Sequence, residues 1–122
     1  MNVPIALRSP GTDPAGGLAS CCNPVTGGTL SPDQATALAR VFRALADPTR
    51  LRLVSLIAAH EGAEACVCDL TDPVALSQPT VSHHLGRLVA AGLLEREQRG
   101  RWAYYRIVDG ALETVAAALS RP

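Results

Sequence analysis

The sequence has no lysine: all 11 of its basic residues are arginine. Arginine binds phosphate and guanine through a rigid two-pronged donor set, so this usage suits a nucleic-acid surface. A GC-rich coding sequence would give the same bias. Net charge is also missing, since 11 acidic residues balance the arginines, and overall charge therefore says nothing about nucleic acid. No apolar run is long enough to span a bilayer. The N-terminus lacks the basic stretch followed by an apolar one that marks a signal peptide. The expectation is a cytoplasmic protein with no membrane partner. In that compartment the four cysteines read as reduced metal ligands or redox thiols rather than as structural disulfides. No internal repeat is visible.

What is present bounds one small domain. The chain has 122 residues, 48% of them hydrophobic, enough for a modest core, and domains of this size often dimerise. Residues 1–30 contain Pro4, Pro10, Pro14 and Pro24 and five glycines, with almost no charge and no helical or strand period. They read as a flexible tail carrying the pair Cys21-Cys22. Residues 31–122 read as the folded domain. Charge is unevenly placed there: from Ser77 to Val108, Arg87, Arg96, Arg99, Arg101 and Arg106 face only Glu95 and Glu97.

The spacing predicts a first helix from Pro32 to about Ala46, with Ser31 and Gln34 as a capping box and Leu38, Val41, Phe42 and Leu45 as its apolar stripe. A second, core helix starts at Asp47-Pro48 and runs to about His60, with Leu51, Leu53, Val54, Leu56 and Ile57 leaving little polar surface and Gly62 as its stop. Cys66 to Thr71 reads as a short helix broken by Asp72-Pro73. A further helix follows, capped by Ser77 and ended at Gly92, with Val81, Leu85 and Leu88 inward. Leu93 to Gln98 and Trp102 to Ile107 read as strands joined by a tight turn through Gly100. A last helix, Gly110 to Leu119, places Leu112, Val115 and Leu119 on one side. The class is mainly α with a small β-hairpin: a winged helix-turn-helix, whose helix after Ser77 would lie in the DNA major groove.

That helix carries donors and acceptors on its exposed side instead of the usual glutamate and lysine. Gln78, Thr80, Ser82, His83 and Arg87 are candidates for base edges or nearby phosphates. Arg99 and Arg101 at the hairpin tip could reach the backbone or the minor groove. His84 lies nearer the buried stripe and reads as a packing or hydrogen-bonding histidine. The second constellation is Cys66-Val67-Cys68. Residues two apart on a regular helix point to nearly opposite sides, so both thiols meet one ion only if Cys66 lies at or before the helix start. Thiolates select thiophilic ions, two are too few for a closed site, and Cys21 and Cys22 offer the missing donors.

Three stretches carry a family resemblance: Ala44-Leu45-Ala46-Asp47-Pro48-Thr49-Arg50, Cys66-Val67-Cys68-Asp69-Leu70, and Ser77-Gln78-Pro79-Thr80-Val81-Ser82-His83-His84-Leu85. Together with the hairpin through Arg99-Gly100-Arg101 and Tyr104-Tyr105, they resemble the ArsR/SmtB metalloregulatory repressors over about Pro32 to Leu119. The resemblance implies a winged-helix homodimer, built through its first and last helices, that leaves its operator when an inducer binds. The cysteine pair is similar to the arsenic- and cadmium-sensing branches. Some arsenic sensors carry a third cysteine where this chain has Thr71. Others complete the site from an N-terminal tail, as Cys21-Cys22 could. The last helix has Asp109 and Glu113 nearby but no histidine, so the zinc-sensing site of the family is not expected.

The expected function is a metalloid-responsive repressor that is released from operator DNA when arsenite or antimonite, As(III) or Sb(III), binds Cys21, Cys22, Cys66 and Cys68. The alternatives are a cadmium or lead sensor, Cd(II) or Pb(II), using all four as a tetrathiolate, and a thiol-redox-sensing repressor. A metal-carrying chaperone would explain the thiols but not the helix after Ser77. No base and oriented pocket suggest an enzyme.

Overall fold

The computed structural model describes residues 22–120. Helix α1, Pro32–Leu45, begins with the predicted capping box: Ser31 accepts from the Gln34 amide and the Gln34 side chain accepts from the Ser31 amide. Leu38, Val41 and Ala44 are buried. Arg40 and Arg43 project from the opposite, exposed side. Helix α2, Pro48–Ala59, is capped by the Asp47 carboxylate on the Arg50 amide and buries Leu53, Val54 and Ile57. Leu51 is not part of that core; it is 53% exposed. After α2 the chain turns through a single 3-10 turn at Glu61–Ala63, where Gly62 takes φ 72°. That backbone region favours glycine.

The stretch read from sequence as one helix, Cys66 to Thr71, is three elements. Glu64–Cys66 forms strand β1, Val67–Asp69 a 3-10 turn, and Thr71–Val74 a short helix, α3. Asp72-Pro73 does not break α3 but lies in its first turn, where a proline without an N–H is tolerated. The break comes at Ala75, which is left-handed at φ 56°. Helix α4, Gln78–Ala90, follows and buries Val81, Leu85 and Leu88. It ends at Ala91 with Gly92 next, at φ 82°. Strands β2, Leu94–Arg99, and β3, Trp102–Ile107, form the hairpin. Helix α5, Ala111–Leu119, closes the fold.

The sheet has three antiparallel strands in the order β1-β3-β2, one more than the hairpin expected. A three-residue strand is too short to show an alternation, and its cysteine reads equally well as a helix start. The architecture is a winged helix-turn-helix, with α3 and α4 as the helix pair and β2–β3 as the wing. Among the described residues no helix is long and apolar enough to cross a membrane.

Two features depart from the expected packing. On α5, Ala111, Val115 and Ala118 are the buried residues, while Leu119 is 58% exposed. Leu119 thus turns away from its own protomer, while Val115 packs inward. Residues 22–30, part of the expected tail, lie against α5: the Val25 amide donates to the Ala118 carbonyl at 2.8 Å and the Thr26 hydroxyl to the Ser120 carbonyl at 2.8 Å. Cys22 is buried there. Cys21 lies outside the described residues.

Candidate nucleic-acid interface and thiol cluster

The exposed side of α4 is built by elimination. Val81, Leu85 and Leu88 are fully buried, so the helix is fixed in rotation and Gln78, Thr80, His83 and Arg87 are exposed. Ser82 is half-buried. Ser77 holds the extended conformation of an N-cap, but its hydroxyl bonds the Thr80 hydroxyl at 3.0 Å and caps no amide. The His83 and His84 rings meet edge-on at 6.0 Å. His84 then turns inward: its Nδ1 accepts from the Arg50 guanidinium at 3.2 Å.

Arg50 is the residue that sequence patterning alone did not assign. Its Nε donates to the Ala44 carbonyl at 2.6 Å and its Nη2 to the Arg43 carbonyl at 3.2 Å. It therefore closes the C-terminal turn of α1, whose last carbonyls have no helical partner, while sitting in α2 and reaching α4. One side chain ties the angle between three helices. The signal for it was its place in the Asp47-Pro48-Thr49-Arg50 run, which periodicity cannot interpret.

The wing differs from the expected picture at Arg99. Its guanidinium makes a two-pronged pair with Glu64, at 2.7 and 2.8 Å, bonds Glu97 at 2.6 Å and lies 4.4 Å over the Tyr104 ring. The hydrogen bond from Arg99 holds the Glu64 carboxyl below its ordinary range and raises the Arg99 pKa in return. Arg106 is likewise committed to Glu95, at 2.7 Å, which raises its pKa. Arg101 has no side-chain partner among the described residues. Arg99 thus stiffens the wing, and Arg101 is its uncommitted cation.

The thiol cluster sits at the end of β1. Cys66 is extended, with ψ 144°, immediately before the 3-10 turn, and the Cys68 amide donates to its sulfur at 3.3 Å. This is the placement at a helix start that lets residues two apart turn their sulfurs together. The structure joins them as a disulfide, with Cα atoms 5.2 Å apart, where the sequence reading expected reduced thiols. The Asp69 carboxylate belongs to the same cluster: one donor atom from each of Cys66, Cys68 and Asp69 lies within 4.8 Å of the others. Asp69 was not among the expected ligands, because adjacency in a regular helix would have turned it elsewhere. Once reduced, two soft sulfurs and a carboxylate suit a thiophilic cation or metalloid, and a trivalent one needs a further thiolate. Cys22 is not in this cluster within the protomer.

The cluster is wired in two directions. Cys66 pairs with Tyr104 in the β1–β3 ladder, alongside Glu64↔Arg106 and Ala65↔Tyr105. That ladder continues across β3 to the wing, where Glu97 pairs with Tyr104. On the other side Val67 and Leu70 are anchored in the core, and α3 leads into the turn before α4.

Comparison with known proteins places this arrangement. The family model described as "Bacterial regulatory protein, arsR family" matches residues 47–96, from the cap of α2 into β2. The chain is 52% identical over 79 residues to the arsenic resistance transcriptional regulator ArsR1 of Pseudomonas putida, a match covering 65% of this chain and 60% of that protein. It therefore spans less than two thirds of that relative's length. The crystal structure of the AntR antimony-specific transcriptional repressor superposes with a TM-score of 0.61 at 32% identity, covering 75% of this chain and 83% of that one. The homodimeric winged helix-turn-helix DNA-binding domain of a possible ArsR-family regulator from Mycobacterium bovis superposes with a TM-score of 0.57 at 33% identity, covering 73% and 80%. The chain belongs to the ArsR family of bacterial regulatory proteins.

Proposed function

We propose that the chain is a homodimeric, cytoplasmic repressor that binds operator DNA through Gln78, Thr80, Ser82, His83 and Arg87 of α4 and through Arg101 of the wing. Its release is driven by arsenite or antimonite bound at Cys66 and Cys68, with a further thiolate from Cys21 or Cys22. The observation that carries this reading is the convergence of the Cys66 and Cys68 sulfurs where the wing sheet meets the helix-turn-helix. An ion drawing in a third thiolate pulls on the end of β1 and on the turn that leads to α3. Both the wing and α4 are attached to that point, so the spacing of the two reading surfaces in a dimer changes with it. Linkage requires the inducer to favour the DNA-free form by the factor through which it weakens DNA binding.

The test is DNA binding in reducing buffer with and without arsenite. Cys66→Ser and Cys68→Ser retain DNA binding and lose the response. Cys21→Ser with Cys22→Ser weakens the response strongly, because two thiolates remain. A full response after removal of residues 1–30 overturns the tail's part in the site.

Two observations favour second readings. The disulfide between Cys66 and Cys68 suits a thiol-redox sensor, in which a peroxide takes two electrons and two protons from the thiols and leaves as water and its reduced partner. Oxidant would then release the DNA and arsenite would not. The Asp69 carboxylate beside the sulfurs suits a divalent ion such as Cd(II) or Pb(II). Thiol counting and ultraviolet absorption of the complex separate three sulfurs from four.

A further inference from the structure

The arginines among the described residues divide into two groups. Arg99 and Arg106 are paired with carboxylates, Arg96 with Gln98, and Arg50 and Arg52 with backbone carbonyls. Arg40, Arg43, Arg87 and Arg101 have no side-chain partner among the described residues. Three of those four line one cleft. It is an open surface cleft of about 320 Å³ between the end of α1 and the C-terminal half of α4, lined by Arg40, Arg43, Ala44, Arg50, Arg87, Ala90 and Ala91. Among the described residues no carboxylate lines it. Asp47, close in sequence, accepts from the Arg50 amide and offsets the charge of Arg50, which leaves Arg40, Arg43 and Arg87 as the unpaired cations of the cleft.

Four arginines line this one cleft, and Arg50 is fixed there by the Ala44 and Arg43 carbonyls and His84. Arg40, Arg43 and Arg87 are exposed, with no carboxylate among the described lining residues beside them. A tetrahedral oxyanion is what guanidinium groups bind with two-pronged geometry. Arg87 belongs both to this cleft and to the exposed stripe of α4 with Thr80 and His83, so the cleft continues the DNA-reading face. We infer that Arg40, Arg43 and Arg87 form an oxyanion cleft that seats a backbone phosphate of the bound DNA, extending the interface from α4 onto α1. This rests on the DNA-binding reading of α4. It adds α1, which that reading leaves out, and it carries no sequence information, because phosphates are alike at every step.

The experiment is fluorescence anisotropy of the full chain with two labelled duplexes, one from the promoter of its own gene and one of random sequence, across a range of salt. Each lost phosphate contact flattens the log–log salt slope by about 0.9. The variant Arg40→Gln with Arg43→Gln is expected to flatten the slope by about 1 to 2 and to weaken both duplexes by the same factor. Arg40→Lys with Arg43→Lys, which keeps the charge, retains the slope. The single glutamine variants carry the same readout if the double variant loses its helical circular dichroism. An unchanged slope overturns the cleft. Inorganic phosphate that raises the melting temperature of the parent but not of the variant, with DNA slopes equal, also overturns it, by assigning the cleft to a free oxyanion. A parent that binds neither duplex defeats the DNA-binding reading itself and the cleft with it.

Discussion

At the scale of single residues, the wing shows how ion pairing sorts identical side chains into different jobs. Arg99 and Arg101 stand two apart at one hairpin tip, yet Arg99 is held by Glu64, Glu97 and Tyr104 and Arg101 is not. Arg101→Ala is therefore expected to flatten the salt slope of DNA binding by about 0.9 per protomer, about 1.8 for a dimer, on any sequence. Arg99→Ala acts instead by loosening the wing. The pH dependence of this anchor has a definite sign. Glu64 titrates below its ordinary range because Arg99 donates to it. Its contribution is complete above the ordinary carboxylate range and is lost as pH falls through the depressed value. Trp102, the single tryptophan, pairs with Arg99 across the hairpin and reports the loss. Its emission should shift on acidification below that range, and Glu64→Gln should remove the part of the shift due to this pair. An identical acid profile in the variant would contradict the anchor.

At the scale of elements, capped helices were legible and short ones were not. Ser31 with Gln34, Asp47-Pro48 and the Val81, Leu85, Leu88 stripe each place a local signal where the fold also needs it, and α1, α2 and α4 appear where that signal lies. The Cys66 to Val74 stretch failed because three short elements follow one another there, each below the length at which a period can register. β1 exists through its ladder with β3, a partner some forty positions away in the register, and no local pattern announces that. The same gap hid Asp69, whose nearness to the sulfurs is set by the turn. The sulfur pair itself was legible only as a condition, that Cys66 precede the helix. Arg50 was likewise invisible to periodicity, since its partners belong to α1 and α4. Arg50→Gln is expected to lower unfolding free energy by about 2 kcal/mol at unchanged urea slope, by stranding carbonyls at the end of α1. Gly86 offers the opposite case. It sits mid-helix on the exposed side of α4 with nothing within 4 Å of the place a Cβ would occupy. Gly86→Ala should stabilise the chain by about 1 kcal/mol in urea unfolding. If DNA weakens at the same time, the missing side chain serves close approach of the helix to the duplex.

At the scale of the molecule, α5 buries Ala111, Val115 and Ala118 and leaves an apolar edge uncovered. Leu119 is exposed, and Leu112 is only partly covered. A second copy of the chain is the expected cover, with half-sites about one helical turn of DNA apart. Leu119→Glu should shift the sedimentation coefficient toward the monomer at micromolar concentration and weaken operator binding with it. An unchanged dimer would place the interface elsewhere. The thiol cluster has its own consequence at this scale. Of its three donors only Cys66 is buried, while Cys68 and Asp69 are exposed. Substitutions at exposed positions away from caps and strained backbone usually move stability within about 0.5 kcal/mol. Asp69 can therefore be replaced almost free of folding constraint, whereas Cys66 is buried and Cys68 is joined to it. On the function proposed above, a lineage built on this chain could change what it senses by point mutation at Asp69, and it need not pass through an unfolded ancestor to do so.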